Sequence, residues 1–166
     1  MQIAEIAQMI ADPEKIPIFY SEKKTFSSVT YHKKESEKPR GIYLPNCDSV
    51  EAFEHCKLYM PDGFKRIKEL ISTKCSFDAI SFSVFSILHE MGHLLQYMEF
   101  INKGHNDDEF IIHYELCRAY LISQKNVEFR TCKSKEDVVE LNKKYDKLYA
   151  ELPTEKYAND FARGKR

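Results

Sequence analysis

From Ala79 to Ile101 the chain carries only two charged residues, Glu90 and Glu99, among mostly apolar neighbours. A run of this length and character folds as a buried helix or crosses a bilayer. His89, Glu90, His93 and Glu99 would be expensive in hydrocarbon, which argues against the bilayer. In a protein core two histidines and a glutamate are also costly unless something compensates them, and their spacing suggests what does. His89 and His93 are four positions apart, so a helix puts them on one face, close enough to grip a single cation. Glu90 lies about 100° round from His89. From there its carboxylate reaches a water on that cation without being a ligand itself. Gly92, inside the same helix, costs about 1 kcal/mol relative to alanine. It predicts the close approach of another segment at that point.

Leu88-His89-Glu90-Met91-Gly92-His93-Leu94-Leu95 therefore reads as HExxH in an apolar frame, the short signature of a zinc peptidase helix. Zinc lowers the pKa of a bound water towards roughly 7, and a neighbouring carboxylate can take its proton. Two imidazoles and a carboxylate suit Zn2+ well.

The 166 residues suit one domain, and at 43% hydrophobic they can build a core. A formal net charge of −1 gives no global electrostatic case for nucleic acid or an anionic membrane. Cys47, Cys56, Cys75, Cys117 and Cys132 are scattered, odd in number and without a CxxC pair. That speaks against a disulfide framework or a cysteine zinc knuckle and for reduced thiols in a cytoplasmic protein. Met1-Gln2-Ile3-Ala4-Glu5 is not a basic start followed by an apolar run, so no secretory signal is expected.

Residues Ile3 to Ala11 read as a short amphipathic helix stopped by Asp12-Pro13. Ile16–Tyr20, Phe26–Tyr31 and Gly41–Leu44 read as strands of a small, mostly antiparallel sheet, with a solvated loop over His32 to Arg40. Ser49 is expected to cap a helix over Val50 to Tyr59, broken by Pro61-Asp62-Gly63 and followed by a helix from Phe64 to about Ser72. The HExxH helix should end near Lys103-Gly104, glycine fitting a helix C-cap. A stretch from Asn106 follows, with Phe110, Ile111, Tyr114, Leu116, Cys117, Tyr120 and Leu121 as a broad apolar stripe. A further helix starts at Ser134, and a last one runs from Pro153 with Thr154 in its first turn. The expectation is an α+β domain with its sheet on a helical body and the HExxH helix central.

A catalytic zinc site needs a third protein ligand and one position for water. Glu99, His105, Asp107, Asp108, Glu109, His113, Glu115, Glu128 and Glu155 all lie downstream. Glu99 points away, six positions past His93. His105 and the Asp107-Asp108-Glu109 cluster sit at a helix boundary, where acids serve capping and the helix dipole. Glu115 stands on an apolar helix and stays open as a ligand.

The tail Leu152-Pro153-Thr154-Glu155-Lys156-Tyr157-Ala158-Asn159-Asp160-Phe161-Ala162 has the pattern ExxANxFA. With HEMGHLL it resembles the ImmA/IrrE family of small zinc peptidases, a minimal zincin-like form of the gluzincins. The resemblance implies His89, His93 and Glu155 as ligands and Glu90 as general base. It places Ala158 and Phe161-Ala162 in packing against the first helix near Gly92. Asn159, four past Glu155 on the same face, is a candidate to hydrogen-bond a ligating histidine and orient it.

Glu155 follows His93 by 62 positions, longer than the family usually shows. The region from about 107 to 150 would then be a helical insertion in a single domain spanning 1–166. The chain also ends at Gly164-Lys165-Arg166, soon after the second motif, where relatives commonly continue. The resemblance implies a metallopeptidase acting on a protein or peptide; family members often act on regulatory proteins in bacteria and mobile elements, which suggests a bacterial or phage origin. Tyr157, Tyr120, Tyr114 and His113 are candidates for stabilising the oxyanion. The alternative is a non-catalytic zinc-containing binding or regulatory protein on the same fold. A regulator acting on DNA rests only on the basic tail from Arg163 to Arg166.

Overall fold

The computed structural model describes residues 1–11, 15–30 and 38–164. The protein is α+β, with far more helix than strand. It divides into two compact units, Met1–Met98 with Tyr157–Arg166, and Glu99–Lys156.

The first unit opens with α1 (Ile3–Ile10), whose Ile3, Ile6 and Ala7 are buried. Asp12-Pro13, expected to stop it, lies outside the described residues, as do Tyr31 and residues 32–37 of the expected loop. Strands β1 (Ile18–Ser21), β2 (Ser27–Val29) and β3 (Gly41–Pro45) follow. The sheet corrects the expectation of mostly antiparallel pairing. Its order is β1-β3-β2, with β1 parallel to β3 and β2 antiparallel to it. Only β2 and β3 pair antiparallel, and β2 lies on the far side of β3 from β1. The middle strand is buried along its whole length, the condition in which parallel pairing is usually found.

Helix α2 (Ser49–Tyr59) is capped by Asp48, whose carboxylate accepts from the Glu51 backbone N–H, and not by Ser49 as the sequence suggested. Ser49 is the first helical residue and is buried. Pro61, expected to break a helix, starts α3 (Pro61–Ile71). Proline suits the first helical position, where its missing N–H has no intrahelical partner to lose. Phe53, Phe64, Phe77 and Phe82 pack edge-on or tilted, with centroids 4.9–6.3 Å apart, joining α2 and α3 to α4.

Helix α4 (Ala79–Asn102) is the long helix read from the sequence. Asp78 starts it, its Oδ1 accepting from the backbone N–H of Ser81 at 2.8 Å and of Ile80 at 3.0 Å. Gly104 beyond its end has φ +92°, the left-handed turn expected of a C-cap glycine. Ile87, Met91 and Leu94 on α4 join Ile3, Ile6, Ile42 and Leu44 in one core cluster. The buried Ser83 and Ser86 are satisfied by their own helix, donating to Ala79 O at 2.7 Å and Phe82 O at 2.8 Å.

The second unit holds α5 (Asp107–Phe110), a π-helical turn (Ile111–Glu115), α6 (Leu116–Phe129) and α7 (Lys135–Ala150). Asn106 and Ser134 cap α5 and α7 with reciprocal capping boxes. The apolar stripe expected from Phe110 to Leu121 is not buried as one face. Phe110 is 1% exposed, but Leu116 and Tyr120 are 53% and 67% exposed. The π turn inserts extra residue rotation and breaks the 3.6 phase on which the stripe was drawn. Helix α6 is tied to α7 by polar contacts instead: Glu128 accepts from Lys144 Nζ at 2.7 Å and Tyr145 OH at 2.8 Å. Helix α8 (Pro153–Ala162) ends the described fold. No described helix is long and apolar enough to cross a membrane.

Candidate metal centre

His89 and His93 project from one face of α4 as their spacing requires. Their Nε2 atoms stand 3.1 Å apart, with the rings at 88° to one another. Two nitrogens bound tetrahedrally to one zinc at 2.0–2.1 Å would be about 3.3–3.4 Å apart. The pair is thus close to the separation of two ligands of one ion, and at 3.1 Å it also lies within hydrogen-bonding distance. Phe85, one turn earlier, stacks on the His89 ring at 6.2 Å between centroids and 21° between planes. Its i, i+4 relation to His89 was the sequence signal for that contact, and the sequence reading passed over it.

Helix α8 crosses α4 at Gly92. A methyl on Gly92 would come within 2.8 Å of Ala158 Cα and 3.3 Å of Ala158 O, so only glycine permits this approach. The contact brings Asn159 to the site. Its Oδ1 lies 3.0 Å from His89 Nδ1. An amide oxygen only accepts, so Nδ1 carries the proton and the lone pair of neutral His89 sits on Nε2, the atom facing His93.

The boundary between the two units falls inside α8, so Glu155 is carried by the same continuous helix, one turn before Asn159. His89, His93 and Glu155 form the group among the described residues that could hold a metal ion, one donor atom of each lying within 4.8 Å of the others. Glu155 is 5% exposed and Asn159 9%. A buried carboxylate beside two imidazole nitrogens fits a divalent cation by donor chemistry. Glu90 follows His89 on α4 and is half-buried.

Several of the other candidates are engaged elsewhere. Glu115 lies 3.8 Å from the Arg118 guanidinium. His105 pairs with Glu109 at 3.2 Å, and Glu109 accepts from the Asn106 backbone N–H at 3.0 Å. That backbone hydrogen bond, followed by His105, holds the Glu109 carboxyl below the usual carboxylate range. Glu128 is held low by its hydrogen bonds from Lys144 and then Tyr145. Of the oxyanion candidates, Tyr157 is buried on α8 and Tyr120 is exposed, while Tyr114 and His113 pack around Phe100. Comparison with protein-family models, curated proteins and solved structures gives no match to this chain.

Proposed function

We propose that this protein is a zinc-dependent metallopeptidase that hydrolyses a peptide bond in a protein substrate. The observation that carries the reading is the 3.1 Å pairing of His89 and His93 Nε2 atoms with the Glu155 carboxylate drawn up to them. The HExxH and ExxANxFA motifs supply the reaction class. Bound zinc would polarise the scissile carbonyl and acidify the attacking water. Glu90 takes the proton of that water on its carboxylate and delivers it to the leaving amine nitrogen. Asn159 holds the His89 tautomer by accepting from Nδ1–H, which keeps Nε2 free to ligate. His89, His93 and Glu155 leave room for one further ligand in a tetrahedral site.

The test pairs wild type with Glu90→Gln, both loaded with one equivalent of zinc and incubated with a proteome-derived peptide library. New peptide N-termini should accumulate with wild type and be absent with Glu90→Gln, which keeps its zinc and its circular dichroism. Equal cleavage by both, or none by zinc-loaded wild type, overturns the peptidase reading in favour of a metal kept for structure. Release of zinc from Glu90→Gln would make Glu90 a ligand.

A further inference from the structure

Among the described helices of eight residues or more, α6 alone buries no residue. Its outward side chains are apolar: Leu116 is 53% exposed, Tyr120 67%, Ile122 47%, Val127 55% and Phe129 55%. At about 100° per residue, Leu116, Tyr120 and Val127 fall within about 40° of one another, and Ile122 and Phe129 lie about 120–140° further round. Ala119, Ser123 and Asn126 fill the arc between the two groups. No charged residue from Leu116 to Phe129 falls in this arc; the exposed Arg130 at the C-cap, still in helical conformation, lies on it at its C-terminal end. In a chain that is 31% charged, half of this helix surface carries no charge from Leu116 to Phe129 and is largely exposed.

We propose that this face of α6 is where two copies of the chain meet in a symmetric dimer. A two-fold contact sets the same patch against itself, so any single-sign charge on it would be opposed by its own copy. From Leu116 to Phe129 this face has none. A strongly basic partner would find no complementary charge here, and a strongly acidic one only Arg130 at the end of the face. The net charge of −1 leaves no long-range repulsion between copies. Ala119 and Ser123, small and central, let the two helix axes come close. The size of the patch sets the strength. Five large side chains about half exposed present on the order of 400–500 Å² per copy, in the range where exposed apolar patches mark interaction sites. Pairing two such patches buries about 1,000 Å², at the low end for specific interfaces. The dimer is therefore weak and concentration-dependent, and independent of the proposed chemistry at His89 and His93.

Sedimentation velocity on the full chain, from about 1 to 200 μM, tests it. The wild-type mass should rise from the 19.5 kDa monomer towards twice that value with concentration. Tyr120→Lys and Tyr120→Glu, each alone, should stay monomeric across the range with unchanged circular dichroism. Mixed in equal amounts they should recover association, because each then presents the opposite charge to the other. A wild type that remains monomeric throughout overturns the proposal, as does association surviving in the single variants. Wild type that stays monomeric yet binds phosphatidylserine vesicles, with Tyr120→Glu released, would assign the face to a lipid surface instead.

Discussion

The crossing of α4 with α8 and the outer face of α6 treat polarity in opposite ways. At the crossing, polar groups are buried and answered. Asn159 faces His89 at 3.0 Å, and earlier on α4 the buried Ser83 and Ser86 return their hydroxyl hydrogens to carbonyls of their own helix. Along α6 apolar side chains are exposed and unanswered. The exposed α6 face does not favour the stability of an isolated chain. Burying polar groups costs free energy unless they are paired, and leaving large apolar groups in water forgoes about 25 cal/mol per Å². The crossing is where we propose a cation, and the α6 face is where we propose a second copy of the chain.

The largest expected effect separates the two helices by burial. Ile87→Ala, at a position 0% exposed in the core cluster, should lower unfolding free energy by about 2–5 kcal/mol. Leu116→Ala on α6 should change it by less than about 0.5 kcal/mol. Urea titrations at micromolar protein, below dimerisation, measure both. Equal costs would mean that α6 is covered and the contrast is wrong.

Next is the hydrogen bond that orients His89. Asn159→Ala should weaken zinc binding about 10–100-fold, with little change in secondary structure. Asn159→Asp, which still accepts from Nδ1–H, should recover most of it. Unchanged affinity in Asn159→Ala would remove the orienting role.

The helix crossing itself can be sharpened with two glycines. Gly92→Ala gains about 1 kcal/mol of helix propensity, but its methyl would sit 2.8 Å from the Ala158 Cα, a backbone atom that cannot yield alone. Overpacking of this kind costs about 1–3 kcal/mol, so the net change should be destabilising. Gly63→Ala on α3, with nothing within 4 Å of the added methyl, should stabilise by up to about 1 kcal/mol. Thermal melts of the pair decide the sign.

The smallest effect is chemical. Burial, with a lesser contribution from Cys47, pushes the Cys56 thiol up to about 11. The folded state therefore holds that proton longer than the unfolded chain, whose thiol titrates near 9. The contribution to stability is present below pH 9 and is lost as pH rises towards 11. At pH 8, iodoacetamide should label the exposed Cys75 and Cys117 and leave Cys56 unmodified, as mass spectrometry of the digest would read.

The helices were legible where a local signal specified them. The apolar run through HExxH, the Ser134 cap and the Gly104 stop each act within one or two turns, and the structure places elements there. His89, His93 and the close approach at Gly92 were legible for the same reason, since an i, i+4 pair and a costly helical glycine are short-range statements. Bringing Glu155 to the pair was not local. It rested on a motif resemblance, because no spacing rule spans 62 positions. The parallel pairing of β1 with β3 depends on which edge of β3 each strand takes, and strand composition does not carry that. The α6 stripe misled because a π turn upstream shifted the phase, and because apolar periodicity reports a sticky face without saying whether this chain or another covers it. Asp48 displaced Ser49 as the α2 cap by a single position, within the usual reach of two adjacent capping residues.

The central claim is that His89, His93 and Glu155 hold one cation. Competitive chelator titration of zinc against wild type, Glu155→Ala and Glu115→Ala tests it most directly. The account predicts one zinc per chain in wild type, a sharp loss of affinity in Glu155→Ala, and near-normal affinity in Glu115→Ala, whose carboxylate lies beside Arg118. Retention of tight zinc by Glu155→Ala with its loss in Glu115→Ala would contradict the account and move the third ligand to the π turn before α6.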